Sequence, residues 1–234
     1  MRLSTGDRDQ NIRCAIQAFR CALEVYTRQS FPMEWANIQK KIGKACAGLP
    51  MGNREGNLRN AVHCYQNALE VYTYERYPVE WAEIHGILGP IYLAFPADDA
   101  QNVGNAIQTL ESALLVYTRQ EFPYRWATTQ TNLGNALARL RTGDRAANLR
   151  RAIEAYRAAQ EVHTRIDFPF DWAMAENNIG TAYTQLPTGD QRENLRNAVE
   201  AYEGAVAVFR EVLPPGHELI QRVERRLAYL TENR

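Results

Sequence analysis

The apolar residues of this chain recur at offsets of three and four. In 148–164 they are Leu149, Ala152, Ile153, Tyr156 and Ala159, a set that falls on one face of a 3.6-residue period. In 126–140 they are Trp126, Leu133, Leu137 and Leu140, with Gln130 completing the stripe. No segment sustains the alternation of a half-buried strand. The pattern predicts an all-helical chain.

The two kinds of segment are repeated. One reads "EFPYRWATTQTNLGNALARL" at 121–140 and has counterparts at "SFPMEWANIQKKIGKAC", "RYPVEWAEIHGILGPIY" and "DFPFDWAMAENNIGTAY". Its tryptophans, Trp35, Trp81, Trp126 and Trp172, are spaced by 46, 45 and 46 residues. The other occurs five times, at 11–27, 57–73, 102–118, 148–164 and 194–210, as in "NLRNAVHCYQNALEVYT". The two alternate. A helix that is apolar along one face, repeated with short links, buries that face against its neighbours, and stacked pairs then share a continuous core. The sequence therefore predicts a single α-solenoid domain over 1–234. An unpaired second-type helix covers 11–28, and helix pairs cover 31–73, 77–118, 122–164 and 168–212. A capping helix at 216–231 brings the total to about ten helices.

The punctuation agrees. Pro32, Pro78, Pro123 and Pro169 stand where helices begin, a place where the missing N–H costs nothing. Asn11, Asn57, Asn102, Asn148 and Asn194 precede the second-type stripe and read as N-caps. The links "PMGNRE", "RTGDRA" and "PTGDQR" carry the Gly and Asp of turns. The tryptophans read as core wedges, each packing against the aromatic that ends the preceding helix: Tyr26, Tyr72, Tyr117 and His163. The alternative is an exposed aromatic row that grips a ligand.

This pattern resembles the tetratricopeptide (TPR) repeat. Its first helix carries Leu-Gly followed by a large residue, here Ile42-Gly43-Cys46, Leu88-Gly89-Tyr92, Leu133-Gly134-Leu137 and Ile179-Gly180-Tyr183. Its second carries Ala, an aromatic and Ala, as in Ala61-Tyr65-Ala68, Ala152-Tyr156-Ala159 and Ala198-Tyr202-Ala205. The ordinary repeat has 34 residues and this one has about twelve more. It is similar to the lengthened repeats of kinesin light chains, and closer to bacterial arrays with an F-P-x-x-W-A phrase. The resemblance implies a right-handed superhelix of stacked antiparallel helix pairs. Arrays of that bacterial kind are often joined to caspase-like or nucleotide-binding signalling domains, none of which is in this sequence. Pro90 inside "ILGPIY" and the short link "PADDAQ" predict a bend near 88–101. In the last segment Glu218 stands where Trp is expected, and Arg222, Glu224, Arg225 and Arg226 predict a polar outer side.

Composition narrows the function. The chain has 27 basic and 27 acidic residues and a formal net charge of zero, which argues against a nucleic-acid or anionic-membrane footprint. The N-terminal stretch has no apolar signal region and no run reaches transmembrane length. Cys14, Cys21, Cys46 and Cys64 form no C-x-x-C pair and read as buried small residues of a reducing cytoplasm. None of the three serines lies in a G-x-S-x-G turn, the four histidines occupy unrelated places, and there is no phosphate-binding loop. No enzyme, metal or cofactor is expected.

In TPR arrays the first helix of each pair lines the concave face. The resemblance therefore implies a peptide-binding groove at Asn37, Lys40, Lys44, Glu83, Thr131, Asn135, Arg139, Asn177, Thr181 and Gln185, with Gly86, Thr128 and Met174 beside them. Such a groove is basic at the N-terminal end and rich in amides and hydroxyls at the other. Those amides can donate to and accept from a peptide backbone. The set does not complete the carboxylate clamp of chaperone-binding arrays. The expected partner is a protein or peptide. The runner-up is an assembly or sensor role in a larger signalling complex, with self-association as a homodimer through Ile12, Ile16, Phe19 and Leu23 of the unpaired helix.

Overall fold

The computed structural model describes residues 8–49, 53–96 and 100–232. Among these residues the chain forms ten helices and no strand, an all-α solenoid. Two compact units divide it, Met1–Val116 and Tyr117–Arg234. The first contains α1 (Arg8–Val25), α2 (Pro32–Ala47), α3 (Arg54–Leu69), α4 (Pro78–Leu93) and α5 (Ala100–Leu114). The second contains α6 (Pro123–Arg139), α7 (Arg145–Gln160), α8 (Pro169–Gln185), α9 (Gln191–Val212) and α10 (Glu218–Glu232). Within each unit every helix packs on the next in sequence, and the short links turn the chain back. No described helix is long and apolar enough to cross a membrane.

The helices α2, α4, α6 and α8 open on their prolines. The residue before each, Phe31, Tyr77, Phe122 or Phe168, has φ between −134° and −140° and ψ between 57° and 64°. A threonine hydroxyl sets this turn. Thr27, Thr118 and Thr164 accept from the backbone N–H of Ser30, Glu121 and Asp167 at 3.2, 3.2 and 3.0 Å.

The asparagines predicted as caps are not caps. Helix α3 is capped by Asn53, whose side chain accepts from the Gly56 amide at 2.9 Å. Asp144 and Asp190 cap α7 and α9. Asn57, Asn148 and Asn194 lie one turn inside these helices, and Asn11 and Asn102 lie inside α1 and α5. Asn148 and Asn194 instead donate to the carbonyls of Thr142 and Thr188, at 2.9 and 3.0 Å, and so tie the helix to its own link. In those links Gly143 and Gly189 have φ of 74° and 89°, which a side chain would strain. Asp is the better cap here because it follows the turn glycine directly and faces the free amides of the first turn.

The tryptophans also differ from expectation. All four are only partly buried. The residue beside each, Ala36, Ala82, Ala127 or Ala173, is the one with no exposed surface. The aromatics that end the preceding helices pack on the Phe-Pro aromatic. Tyr26–Phe31, Tyr72–Tyr77, Tyr117–Phe122 and His163–Phe168 have ring centroids 5.4–5.5 Å apart. Trp35 and Trp172 lie as lids under Arg28 and Arg165, 6.0 and 5.9 Å from the guanidinium carbons.

The core runs through the small residues. The glycine of each Leu-Gly pair takes the large residue of the following helix against its bare Cα: Tyr65 on Gly43, Leu110 on Gly89, Tyr156 on Gly134 and Tyr202 on Gly180. The flanking alanines let the backbones approach closely. Arginine–glutamate pairs join successive repeats at the surface: Arg28–Glu70, Arg119–Glu161 and Arg165–Glu211.

Cys46 and Cys64 are buried as expected, and burial, with Cys46 beside it, pushes the Cys64 thiol up to about 11. Cys14 and Cys21 are exposed on α1, a correction to the buried reading. Ile16 is buried, and Ile12, Phe19 and Leu23 pack against the core of the first unit. Helix α4 continues through Pro90, which is exposed in its last turns. Residues 97–99 of the short link, within the predicted bend, lie outside the described residues.

Candidate functional site

In the first unit, Asn37 and Lys44 of α2 are exposed. Lys40 is largely covered: its Nζ lies 2.5 Å from Glu83 Oε2 on α4 and 5.5 Å from the Tyr72 ring centre. The structure thus joins two predicted groove residues, and the Glu83 carboxylate offsets the Lys40 charge. Gly86 is half-buried beside them.

In the second unit the predicted residues of α6 and α8 form a connected polar ladder. Asn135 Oδ1 accepts from Tyr156 Oη at 2.9 Å and from Asn178 Nδ2 at 3.0 Å. Asn178 Oδ1 accepts from Asn177 Nδ2 at 3.2 Å. Asn177 Oδ1 accepts from Arg226 of α10 at 3.1 Å, and the same Nη1 lies 3.0 Å from Thr181 Oγ1. Thr181 gives its proton to the Asn177 carbonyl at 2.8 Å. A hydroxyl has one proton, so Tyr202 Oη, 3.1 Å from Thr181, donates to it. Gln185 is exposed and accepts from Arg145 at 2.6 Å. Thr131 bonds back to the Ala127 carbonyl at 3.1 Å, and Thr128, Arg139 and Met174 are half-buried. Asn177 is itself buried, 4% exposed, so it supports the ladder from below.

Asn178 and Arg226 are members that the sequence reading missed. Asn178 differs from Asn177 only by its position on the helix. Arg226 was assigned to the polar outer side of the last helix. It turns inward because Ile220 and Val223, with Leu227 and Leu230, bind α10 to Val206 and Phe209 of α9 and fix its rotation.

Beside the ladder is an open pocket of about 480 Å³. Thr181, Thr184 and Gln185 of α8 and Tyr202 of α9 form one wall, and Arg222, Arg225, Arg226 and Tyr229 of α10 form the other. The basic end of the candidate surface in this unit is therefore C-terminal, where the sequence reading had placed neutral groups.

Two histidines and one acid that do not line this pocket are perturbed. Burial lowers His85, whose ring stacks on Trp81 at 4.2 Å, to about 4. Burial also lowers His163, against the opposing charge of Asp171. Burial raises Glu176, which Gln160 holds at 2.7 Å. Among the described residues no three His, Cys, Asp or Glu side chains gather as a metal-binding group. No protein-family model matches the chain, and no curated protein is found related to it.

Proposed function

We propose that the chain is a TPR-like array of the lengthened, bacterial type and acts as a non-enzymatic binding module. It holds an extended peptide or protein segment along the first-type helices α6 and α8 of the second unit. The observation that carries this reading is the ladder from Asn135 through Asn178 to Thr181. Asn135 and Asn178 are half-exposed and bonded to each other, with the buried Asn177 supporting Asn178. Asn135 keeps its Nδ2 donors, and Asn178 keeps one N–H and one acceptor site, to pair with a peptide backbone. The ladder also fixes these side chains beforehand, which lowers the entropy cost of binding. A reducing cytoplasm suits the four free thiols.

Peptides selected by display on the full chain test the reading. Asn178→Ala and the exposed Gln185→Ala each weaken a selected peptide by roughly tenfold, the worth of a lost hydrogen bond or two. Gln66→Ala, on the exposed side of α3, leaves it unchanged. Equal effects of all three would contradict the reading.

An assembly role is the second reading. On α1 the outward row Cys14, Ala18, Cys21 and Val25 is exposed, with Val25 at 66%. In α3 the residue equivalent to Ala18 is the buried Cys64. Light scattering across a concentration series tests self-association through that row.

A further inference from the structure

The pocket on α10 carries charge that the peptide-groove reading does not require. Arg222, Arg225 and Arg226 stand at i, i+3 and i+4, so three guanidinium groups share one side of the helix. Like charges at this spacing repel. The helix cannot rotate to separate them, because Ile220 and Val223 are locked against α9 on its other side. The one carboxylate in the same stretch, Glu224, is drawn to the opposite flank, where Arg210 of α9 holds it by two bonds of 3.1 and 2.6 Å. Glu218, one turn before Arg222, does not line the pocket. Among the described residues, Arg222, Arg225 and Arg226 have no carboxylate partner, and Arg226 is bonded only to the neutral Asn177 and Thr181. The facing wall is neutral as well. The fold therefore concentrates positive charge in a concave site and leaves it unbalanced.

We propose that this pocket is an anion site that receives adjacent carboxylate side chains of an acidic peptide segment. The proposal rests on the peptide-binding reading and names the chemistry at one end of it. Guanidinium groups bind planar carboxylates through paired hydrogen bonds, which gives direction as well as charge. Leu230 and the Tyr229 ring at the rim suit the methylene stems of glutamate. The ladder that leads to the pocket, Asn135 to Thr181, is neutral. A nucleic acid would need a basic track to follow its phosphates, whereas a peptide with one acidic cluster needs only a local anchor. Filling the site removes the repulsion within α10, so the bound ligand stabilises the C-terminal helix.

Fluorescence anisotropy on the full chain tests the idea, with a labelled tetraglutamate peptide, its tetraglutamine counterpart, and inorganic phosphate as competitor. The expected result is binding of tetraglutamate and none of tetraglutamine. Arg222→Gln with Arg225→Gln lowers tetraglutamate affinity by roughly tenfold or more, the scale of a lost charge-assisted bond. Arg192→Gln with Arg196→Gln, which removes equal charge from the exposed face of α9, changes it by less than about twofold, the effect of net charge alone. Because Arg222 and Arg225 are exposed, the double variant keeps its melting temperature. Equal losses in the two double variants, no tetraglutamate binding at millimolar concentration, or displacement by phosphate at lower concentration than free tetraglutamate would overturn the proposal. Its failure is separable from that of the groove: a display-selected peptide that still depends on Asn178 leaves the peptide-binding reading standing.

Discussion

The ring of Tyr156 occupies the place where residue 134 would carry a side chain. A Cβ built on Gly134 would stand 2.6 Å from Tyr156 Cε1, and the phenol then reaches past it to bond Asn135 at 2.9 Å. The glycine and the amide beside it are thus two halves of one contact. The first lets the ring in, and the second anchors its hydroxyl at the edge of the candidate groove.

This contact predicts opposite outcomes for two glycine-to-alanine changes. Alanine normally stabilises a helix relative to glycine by about 0.5–1 kcal/mol. Gly104 in α5 has nothing within 4 Å of its would-be Cβ, so Gly104→Ala raises stability by about that amount. At Gly134 overpacking outweighs the gain, and Gly134→Ala lowers stability by roughly 1–2 kcal/mol. Urea unfolding of the two variants checks the signs.

The depth of the aromatics gives a second comparison. Tyr156 is 1% exposed, so Tyr156→Ala costs about 3–5 kcal/mol, as for other fully buried aromatics. Trp172 is half-buried, under Arg165 and over Gly204, and Trp172→Ala costs about 2 kcal/mol. Thermal melts of both variants that gave Trp172→Ala the greater loss would restore the tryptophan as the wedge.

Capping is separable from stapling at the start of α9. Asp190→Ala removes the bond to the Arg192 amide and costs about 1 kcal/mol. Asn194→Ala removes the 3.0 Å bond to the carbonyl of the exposed Thr188 and costs about 0.5–1.5 kcal/mol. A neutral Asp190→Ala in urea unfolding would contradict the assignment of the cap.

Acid weakens the array through its buried imidazoles. His85 is lowered from 6.5 to about 4 by burial, so between those values the unfolded chain binds the proton and the folded chain does not. Its contribution is therefore complete above about pH 6.5 and is lost as pH falls toward 4. His163 shifts in the same direction. His85→Gln removes roughly 2 kcal/mol of the stability difference between about pH 7 and pH 4.5, measured by urea unfolding at both. An unchanged difference would mean that the ring is protonated in the fold.

Much of the fold was legible because it is periodic. The 3.6-residue stripes, the Phe-Pro starts and the glycine before each large residue are local signals, and each repeat restates them. The misreadings arose where two residue types compete for one job. Asn57, Asn148 and Asn194 are good caps by type, but the Asn or Asp four residues earlier is nearer the free amides. Tryptophan is the largest apolar residue, yet the alanine beside it faces the core, because only a small side chain fits where the helices are closest. Asn135, Asn177 and Thr181, which the structure joins, were identifiable as candidates through the repeat resemblance. Arg226 was not, since its direction depends on how α10 rotates against α9, and that is set by the fit of Ile220 and Val223 rather than by the spacing of the arginines.

The central claim is that the first-type helices hold a peptide. Hydrogen–deuterium exchange on the full chain, with and without a display-selected peptide, tests it most directly. The account predicts added protection in α6 and α8, with α7 unchanged. Protection confined to the second-type helices, or none at saturating peptide, would contradict it.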